Sequence, residues 1–461
     1  METKSQFLYL GTVKYMFQAD KTQSLHHVVI VGGGFGGLYA ARSLAKAPVK
    51  ITLIDKRNFH VFQPLLYQVA TGGLSPSNIS SPLRSLLKRH KNIQVLMGEV
   101  VDIDAQNQIV QLQDRQIDYD SLIVATGATP QYFGNISWAK QAPGLKTIED
   151  ALEIKRKVFS AFEAAETETN PAKRRDWLTF VLVGGGAAGV ELAGALAELT
   201  RSTLKEDFRH IDPTSTRIVL IQSPDRILPN YPQELSDKAL AKLINLGVEV
   251  KTQARVINLD GDCVTVKQQE HLEEIHTRTV LWTAGMKGSS MGKIVATATG
   301  TQLDRMGRIM VSPQFNLASY DNIFVIGDLA HYGHHCNQPL PAVAPAAMQG
   351  GQYVAKIIKN RLKGVDTTDF RYLNWGNLAV IGKNAAIIDF GWLKLSGILA
   401  WLIWKFIHIF YLLEFDNKIM VTIQWIWSYL TSHKSDRLIV TGDVTTRTRR
   451  EEDRDTILAQ A

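Results

Sequence analysis

Cysteine is nearly absent: Cys263 and Cys336 are the only two in 461 residues, far apart and in no CxxC or CxxxxC spacing. That excludes a disulfide framework and a redox-active dithiol, and it points to reducing, intracellular surroundings. The chain also lacks an uninterrupted apolar run long enough to cross a bilayer. Residues 1–23 carry Lys4, Lys14, Asp20 and Lys21 among short apolar patches and have no continuous secretory h-region, so they read as a loose extension. There is no low-complexity tract and no metal-ligand motif, and no metal is expected. Charge of one sign does not collect either. The net charge is +7, but the densest basic cluster, Arg447 to Arg454, is interleaved with acids, so nucleic acid is not the expected partner. An anionic membrane surface or a dinucleotide accounts for the excess equally well.

What is present is a folded composition, 45% hydrophobic and 21% charged with 34 glycines, over a length that calls for two or three domains. The apolar β-branched run from His26 to Val31 ends in Gly32-Gly33-Gly34-Phe35-Gly36-Gly37; a helical stretch follows, then a strand from Val49 that ends at Asp55. This is the order of a dinucleotide-binding βαβ unit. Gly32 permits the tight turn, Gly34 lets backbone approach a pyrophosphate, Gly37 lets helix pack on strand, and Asp55 is placed to accept from ribose hydroxyls. The pattern recurs with Trp177 to Val183, the glycines Gly184, Gly186 and Gly189, a helix expected over Val190 to Thr200, and the strand Arg217 to Ile221. Two such units imply two dinucleotides. The second acid position holds Gln222, which removes the repulsion that disfavours a ribose 2′-phosphate, and Arg226 stands nearby; NADH and NADPH both remain open.

The motifs VGGGFGG, LIDKRNFHVFQPLLYQVATGGL, YDSLIVATGATP, VGGGAAGVELAG, VLWTAGM, NIFVIGDLAH and PAVAPAAMQGGQYVAKII together resemble type II NADH:quinone oxidoreductases, over about residues 26 to 440. The resemblance implies an α/β fold of two Rossmann-like dinucleotide-binding domains, the second inserted in the first, plus a C-terminal amphipathic helical membrane-attachment region. The expected boundaries are an N-terminal extension (1–25), an FAD-binding domain in two parts (26–140 and 275–391), an NAD(P)H-binding domain (141–274), the membrane-attachment region (392–440) and a charged tail (441–461). The resemblance assigns Gly32, Gly34, Phe35, Gly36, Gly37, Asp55, Thr126, Gly127, Gly285, Gly327 and Asp328 to FAD, with Asp328 accepting from the ribityl chain. It assigns Gly184, Gly186, Gly189 and Gln222 to the nicotinamide dinucleotide. Glu191, early in the second fingerprint helix, is expected near the flavin and nicotinamide. Gln349 and Lys383 are expected on the quinone side, although Ala344-Pro345 stands where the family has an Ala-Gln pair.

Residues 392 to 415 are strongly apolar, yet Lys394, Lys405, His408 and Glu414 interrupt them. At helical spacing Lys394, Lys405, His408 and Asp416 fall on one narrow face, with Trp404, Phe406, Ile407, Ile409 and Phe410 over the rest. A second aromatic stretch, Ile419 to Leu430, follows. The expectation is a helix lying in the bilayer interface on the cytoplasmic side, a peripheral attachment compatible with a homodimer contact. The expected activity is two-electron transfer from NAD(P)H through FAD to a membrane quinone, without proton pumping. A disulfide reductase or sulfide:quinone reductase would need paired cysteines. A reductase of a soluble electron carrier, or an FAD- and NAD-binding redox sensor with little turnover, are the alternatives.

Overall fold

A computed structural model describes residues 25–334, 339–434 and 436–440. The extension, the charged tail and Cys336 therefore lie outside the described residues.

The first sheet has six strands in the order Asn316–Leu317, Tyr320–Val325, Ser121–Val124, His26–Val31, Val49–Asp55 and Ile93–Met97. All neighbours run parallel except the first pair. Its central strands are nearly continuous runs of buried Val, Ile and Leu, as a parallel sheet covered on both faces requires. Residues from both ends of the chain thus build one sheet. The second sheet, inserted between them, has the parallel order Val248–Lys251, Arg217–Ile221, Thr179–Val183 and Thr279–Trp282. Where the chain passes between the two sheets, Ala128–Pro130 pairs antiparallel with Met286–Gly288.

Two expected boundaries shift. The strand Thr279–Trp282 belongs to the second sheet, so the inserted unit continues past 274 to the crossing at Met286–Gly288. The strands Asn377–Gly382, Ala385–Asp389 and Lys394–Gly397 form an antiparallel sheet that seats on the second fingerprint helix rather than on the first unit. The fit is close: a Cβ built at Gly194 would lie 1.7 Å from the Ile381 carbonyl oxygen. Any side chain there would push the small sheet off the helix.

Two helices follow, Ile398–Tyr411 and Phe415–Thr431. The helix expected from residue 392 begins only at Ile398, because Lys394–Gly397 is a strand. Its polarity is also the reverse of the expectation. Trp404 and His408 are turned into the protein, and burial pushes the His408 imidazole down to about 4. Leu399, Leu402, Phe406 and Phe410, spaced three and four apart, stand exposed instead, with Phe406 at 70% and Phe410 at 62%. Ile419, Ile423, Ile426, Trp427 and Leu430 give the second helix a like face. No helix among the described residues is long and apolar enough to cross a membrane.

Candidate functional site

The two glycine turns have matching geometry. Gly32 and Gly184 have φ of +105° and +112°, where any side chain is strained, and a Cβ on either would meet backbone of the neighbouring strand at 2.5 and 2.6 Å. A Cβ on Gly37 or Gly189 would lie 1.8 Å from the carbonyl oxygen of the turn's first glycine. Gly34 and Gly186 differ: each precedes its helix with ordinary backbone angles, and a Cβ on either would meet no protein atom within 4 Å. Neither helix has a side-chain cap or an acid in its first turn. Free N–H groups therefore face open space at two helix N-termini, as a pyrophosphate requires. The residues present fit FAD and a nicotinamide dinucleotide.

The residue ending the second strand braces each turn. Asp55 Oδ2 accepts the Gly33 N–H at 2.6 Å and Oδ1 the Arg57 N–H at 2.7 Å. Burial pushes the Asp55 carboxyl up, and these two N–H groups oppose the shift. Gln222 repeats the arrangement with a neutral side chain: Oε1 accepts the Gly185 N–H at 2.7 Å, and Nε2 donates to the Arg226 carbonyl at 3.2 Å. The Arg226 guanidinium is half-buried and donates to Gln233 and to the Pro229 carbonyl. The brace explains why glutamine serves at position 222 without loss of the turn. His60, which the sequence reading missed, donates through Nδ1 to the Gly33 carbonyl at 2.9 Å.

Because Gly34 has room for a side chain as far as the protein is concerned, Gly34→Val separates fold from ligand. We expect a folded protein of near-normal melting temperature whose flavin absorbance falls to a small fraction of one FAD per chain. Full flavin content would show that this turn does not hold the pyrophosphate.

Thr126 Oγ1 lies 2.6 Å from Ser289 Oγ across the crossing, and Gly127 and Gly285 flank its two short strands. Asp328 follows Gly327 at the end of the Tyr320–Val325 strand, and its Oδ2 accepts the Lys146 ammonium at 2.8 Å. Phe35 and Gly36 open the first helix, where Phe35 packs edge-on against His60 at 4.9 Å.

Glu191 is the fifth residue of its helix, Ala187–Glu198, which starts three residues earlier than expected. It lies beyond the first turn, so the helix dipole does not account for it. Its side chain lines a cavity of about 280 Å³ bounded by that helix, the Asn377–Gly382 strand and the two C-terminal helices. Burial pushes the Glu191 carboxyl up to about 8, against one hydrogen bond from the Val380 N–H at 3.4 Å. The shift favours its protonated form. Tyr67 and Gln68 of the LLYQVATGGL segment line the same cavity, and Gln68 Oε1 accepts the Trp425 indole N–H at 2.7 Å.

Lys383 also borders this cavity, exposed, with its ammonium donating to the Tyr429 carbonyl at 2.8 Å and 4.3 Å from the ring of the same residue. The structure thus brings Glu191 and Lys383 together. Gln349 lies apart from them, in the Ala344–Arg361 helix, where Nε2 donates to the Leu373 carbonyl and Oε1 accepts the Leu373 N–H, both at 2.9 Å. Its amide is fully engaged with backbone. The sequence reading missed Glu198, Lys405 and Lys434, which line the cavity as well. The seven-residue spacing of Glu191 and Glu198 on one helix face was the available signal.

The family model described as pyridine nucleotide-disulphide oxidoreductase matches residues 26–351, and that described as the NDH2 C-terminal domain matches residues 375–434. The chain is 41% identical over 435 residues to the type II NADH:quinone oxidoreductase Ndh of Mycobacterium tuberculosis, covering 93% of each chain. It is 42% identical over 415 residues to NdhA of the same organism, covering 88% of this chain and 87% of that one. Among solved structures, NDH2 of Plasmodium falciparum in complex with RYL-552 superposes with a TM-score of 0.81 at 20% identity, over 90% of this chain and all of that one. At that identity the superposition speaks for the fold alone.

Proposed function

The chain belongs to the pyridine nucleotide-disulphide oxidoreductase family, and within it to the type II NADH:quinone oxidoreductases; from that premise we propose how its own residues divide the work. It is a flavin-dependent dehydrogenase that oxidises NADH and passes two electrons to a quinone without pumping protons. When bound, FAD would supply the two-electron redox chemistry between nicotinamide and quinone. The Gly32–Gly37 turn and Asp55 hold FAD, and the Gly184–Gly189 turn holds the nicotinamide dinucleotide.

The observation that carries the site assignment is that Glu191, a half-buried carboxyl without a charged partner among the described residues, lines a cavity walled also by the two C-terminal helices. In this reading the quinone head group enters between those helices, and Glu191 holds a proton for it. Lys383, exposed to solvent, also lines the cavity. Gln349 acts indirectly, pinning Leu373 ahead of the small sheet. The exposed apolar faces of the two C-terminal helices lie against the cytoplasmic surface of a membrane, bringing the cavity to the acyl region where quinone dissolves. Trp427 and Tyr429 suit that boundary. Competition settles the assignment of the cavity: a photoreactive short-chain quinone should label residues lining it, and saturating quinone should suppress the labelling. Labelling confined to surfaces away from Glu191 would refute it.

NADPH use rests on Gln222. Its neutral amide leaves a 2′-phosphate unopposed, so we expect measurable turnover with NADPH beside NADH. Gln222→Glu keeps the acceptor for the Gly185 N–H and adds a charge. NADPH kcat/KM should fall about tenfold while NADH changes little, and an unchanged NADPH:NADH ratio would remove this side chain from cofactor selection.

A further inference from the structure

The cavity beside Glu191 is lined by more cations than a neutral head group needs. Lys242, Lys383, Lys405 and Lys434 border it, against Glu198 and Glu191, whose protonated form burial favours. Lys405 is the anomaly among them. It rises from the inward side of the Ile398–Tyr411 helix, its Nζ 3.9 Å from the ring centroid of Trp401 and 5.0 Å from that of Trp425. Among the described residues no acceptor hydrogen-bonds this ammonium, and no carboxylate pairs with it directly. Its charged neighbours are Glu198 of the second fingerprint helix, which attracts it, and Lys383 of the small sheet, which repels it. Lys434 faces the same space but has a structural task, donating to the Ala195 carbonyl at 3.1 Å. The remaining titratable groups on the cavity wall are Tyr67, whose hydroxyl burial pushes well up, Tyr429 and Lys242.

The two ring contacts offset only part of what a lysine costs at position 405. An ammonium withdrawn from water without a hydrogen-bonded partner costs free energy, and an apolar side chain of similar length would pack at least as well between two tryptophans. The position serves the reaction instead. Resting on the reading of this cavity as the quinone site, we propose that Lys405 reloads Glu191 with the proton that each turnover takes from water. The balance is simple. NADH supplies a hydride, and the quinone gains two electrons and two protons, so one proton per turnover comes from solvent. The Glu191 O–H breaks as an O–H forms on a quinone oxygen. The Lys405 ammonium then gives its proton to the Glu191 carboxylate through cavity water, and the amine recovers one from solvent beside Lys383. Glu198, seven residues from Glu191 on the same helix face, attracts the ammonium without contacting it and accepts the Lys383 backbone N–H. Burial lowers the Lys405 ammonium and raises the Glu191 carboxyl, so their proton affinities, far apart in water, are drawn towards each other.

The test compares turnover of the flavin-loaded enzyme with a short-chain benzoquinone, which needs protons, and with ferricyanide, which needs none. Lys405→Met should lower the quinone:ferricyanide ratio by about tenfold or more at pH 7, and should not lower the melting temperature. Lys405→Arg keeps the charge and the ring contacts but cannot release a proton, so it should not restore the ratio. Recovery by arginine, or an unchanged ratio in Lys405→Met, would overturn the proposal. Glu191→Gln tells the two readings apart. If it lowers the ratio while Lys405→Met does not, only the proton supply is wrong; if neither does, the cavity is not the quinone site and both fall. An independent check uses the unaltered holoenzyme: after reductive 13C-methylation, the NMR signal absent from Lys405→Arg should titrate near 8. A midpoint near the ordinary 10.5 would contradict the proposal.

Discussion

Replacing Glu191 by Gln is expected to cut quinone turnover by about a hundredfold while leaving reduction of bound flavin by NADH within a few-fold of normal. The expectation rests on burial. The carboxyl is enclosed by the second fingerprint helix, the small C-terminal sheet and Tyr67, and its pKa stands at about 8. Below that pH it carries a proton that a quinone oxygen can take; above it the proton is gone. Quinone turnover of the parent enzyme should therefore fall as pH rises through 8, and the fall should disappear from the residual activity of the variant. Stability follows with a definite sign. A carboxyl whose folded pKa is raised from 4.5 to about 8 contributes stability that is complete below about 4.5 and is lost progressively as pH rises through 8. Glutamine cannot ionise, so Glu191→Gln should match the parent at pH 5 and melt at a higher temperature at pH 9. Stopped-flow flavin reduction, steady-state quinone assays and melting curves at the two pH values decide the matter. Equal quinone turnover in the two proteins would remove Glu191 from the oxidative half of the reaction.

The second large effect is expected at the membrane. Phe406 and Phe410 project from the Ile398–Tyr411 helix, two turns of one exposed apolar stripe. Each such side chain buried in the acyl boundary contributes about 1.5–3 kcal/mol, so Phe406→Glu with Phe410→Glu should weaken liposome binding by roughly a hundredfold or more. Ferricyanide reduction should survive, because both positions face away from the core. Deleting the whole region is the poorer instrument, since Ala400, Trp401, Trp404, Val421 and Trp425 are buried in the core shared with the second sheet. Flotation of the double variant with vesicles, alongside its mass in detergent, separates the two uses of this face. Unaltered flotation with a lost dimer would mark it as a contact between copies instead.

Much of the fold was legible because certain residues have no substitute. A turn with φ of +105° or +112° and a helix residue whose Cβ would stand 1.8 Å from the turn's carbonyl oxygen demand glycine at fixed spacing, so both fingerprints could be placed in order without coordinates. The neutral Gln222 was legible as a departure, although not its brace on the Gly185 N–H, which depends on a side chain reaching back across the turn. The domain boundary was misplaced because Thr279–Trp282 is a short apolar run, and periodicity cannot say which of two sheets such a strand joins. The C-terminal helix was read with the wrong face outward for a related reason. Lysine and histidine on an apolar helix ordinarily mark its wet side; here Lys405 lines a cavity and His408 stacks on Trp404 and meets Phe62, while phenylalanines turn out. Lys394 left that helix altogether for the strand before it. Glu191 and Lys383 were identified singly, but their meeting in one cavity depends on the seat of the small sheet at Gly194, which only tertiary structure sets.

The central claim is that this chain moves two electrons from NADH through bound flavin to a quinone held beside Glu191, with no coupled proton transport. Flavin-loaded protein on the outer face of sealed proteoliposomes containing a long-chain quinone and an internal pH indicator tests it directly. One quinol should form for each NADH consumed, with no acidification or alkalinisation of the lumen. NADH-driven bleaching of the flavin without quinol formation, or a change in luminal pH tied to turnover, would contradict the account.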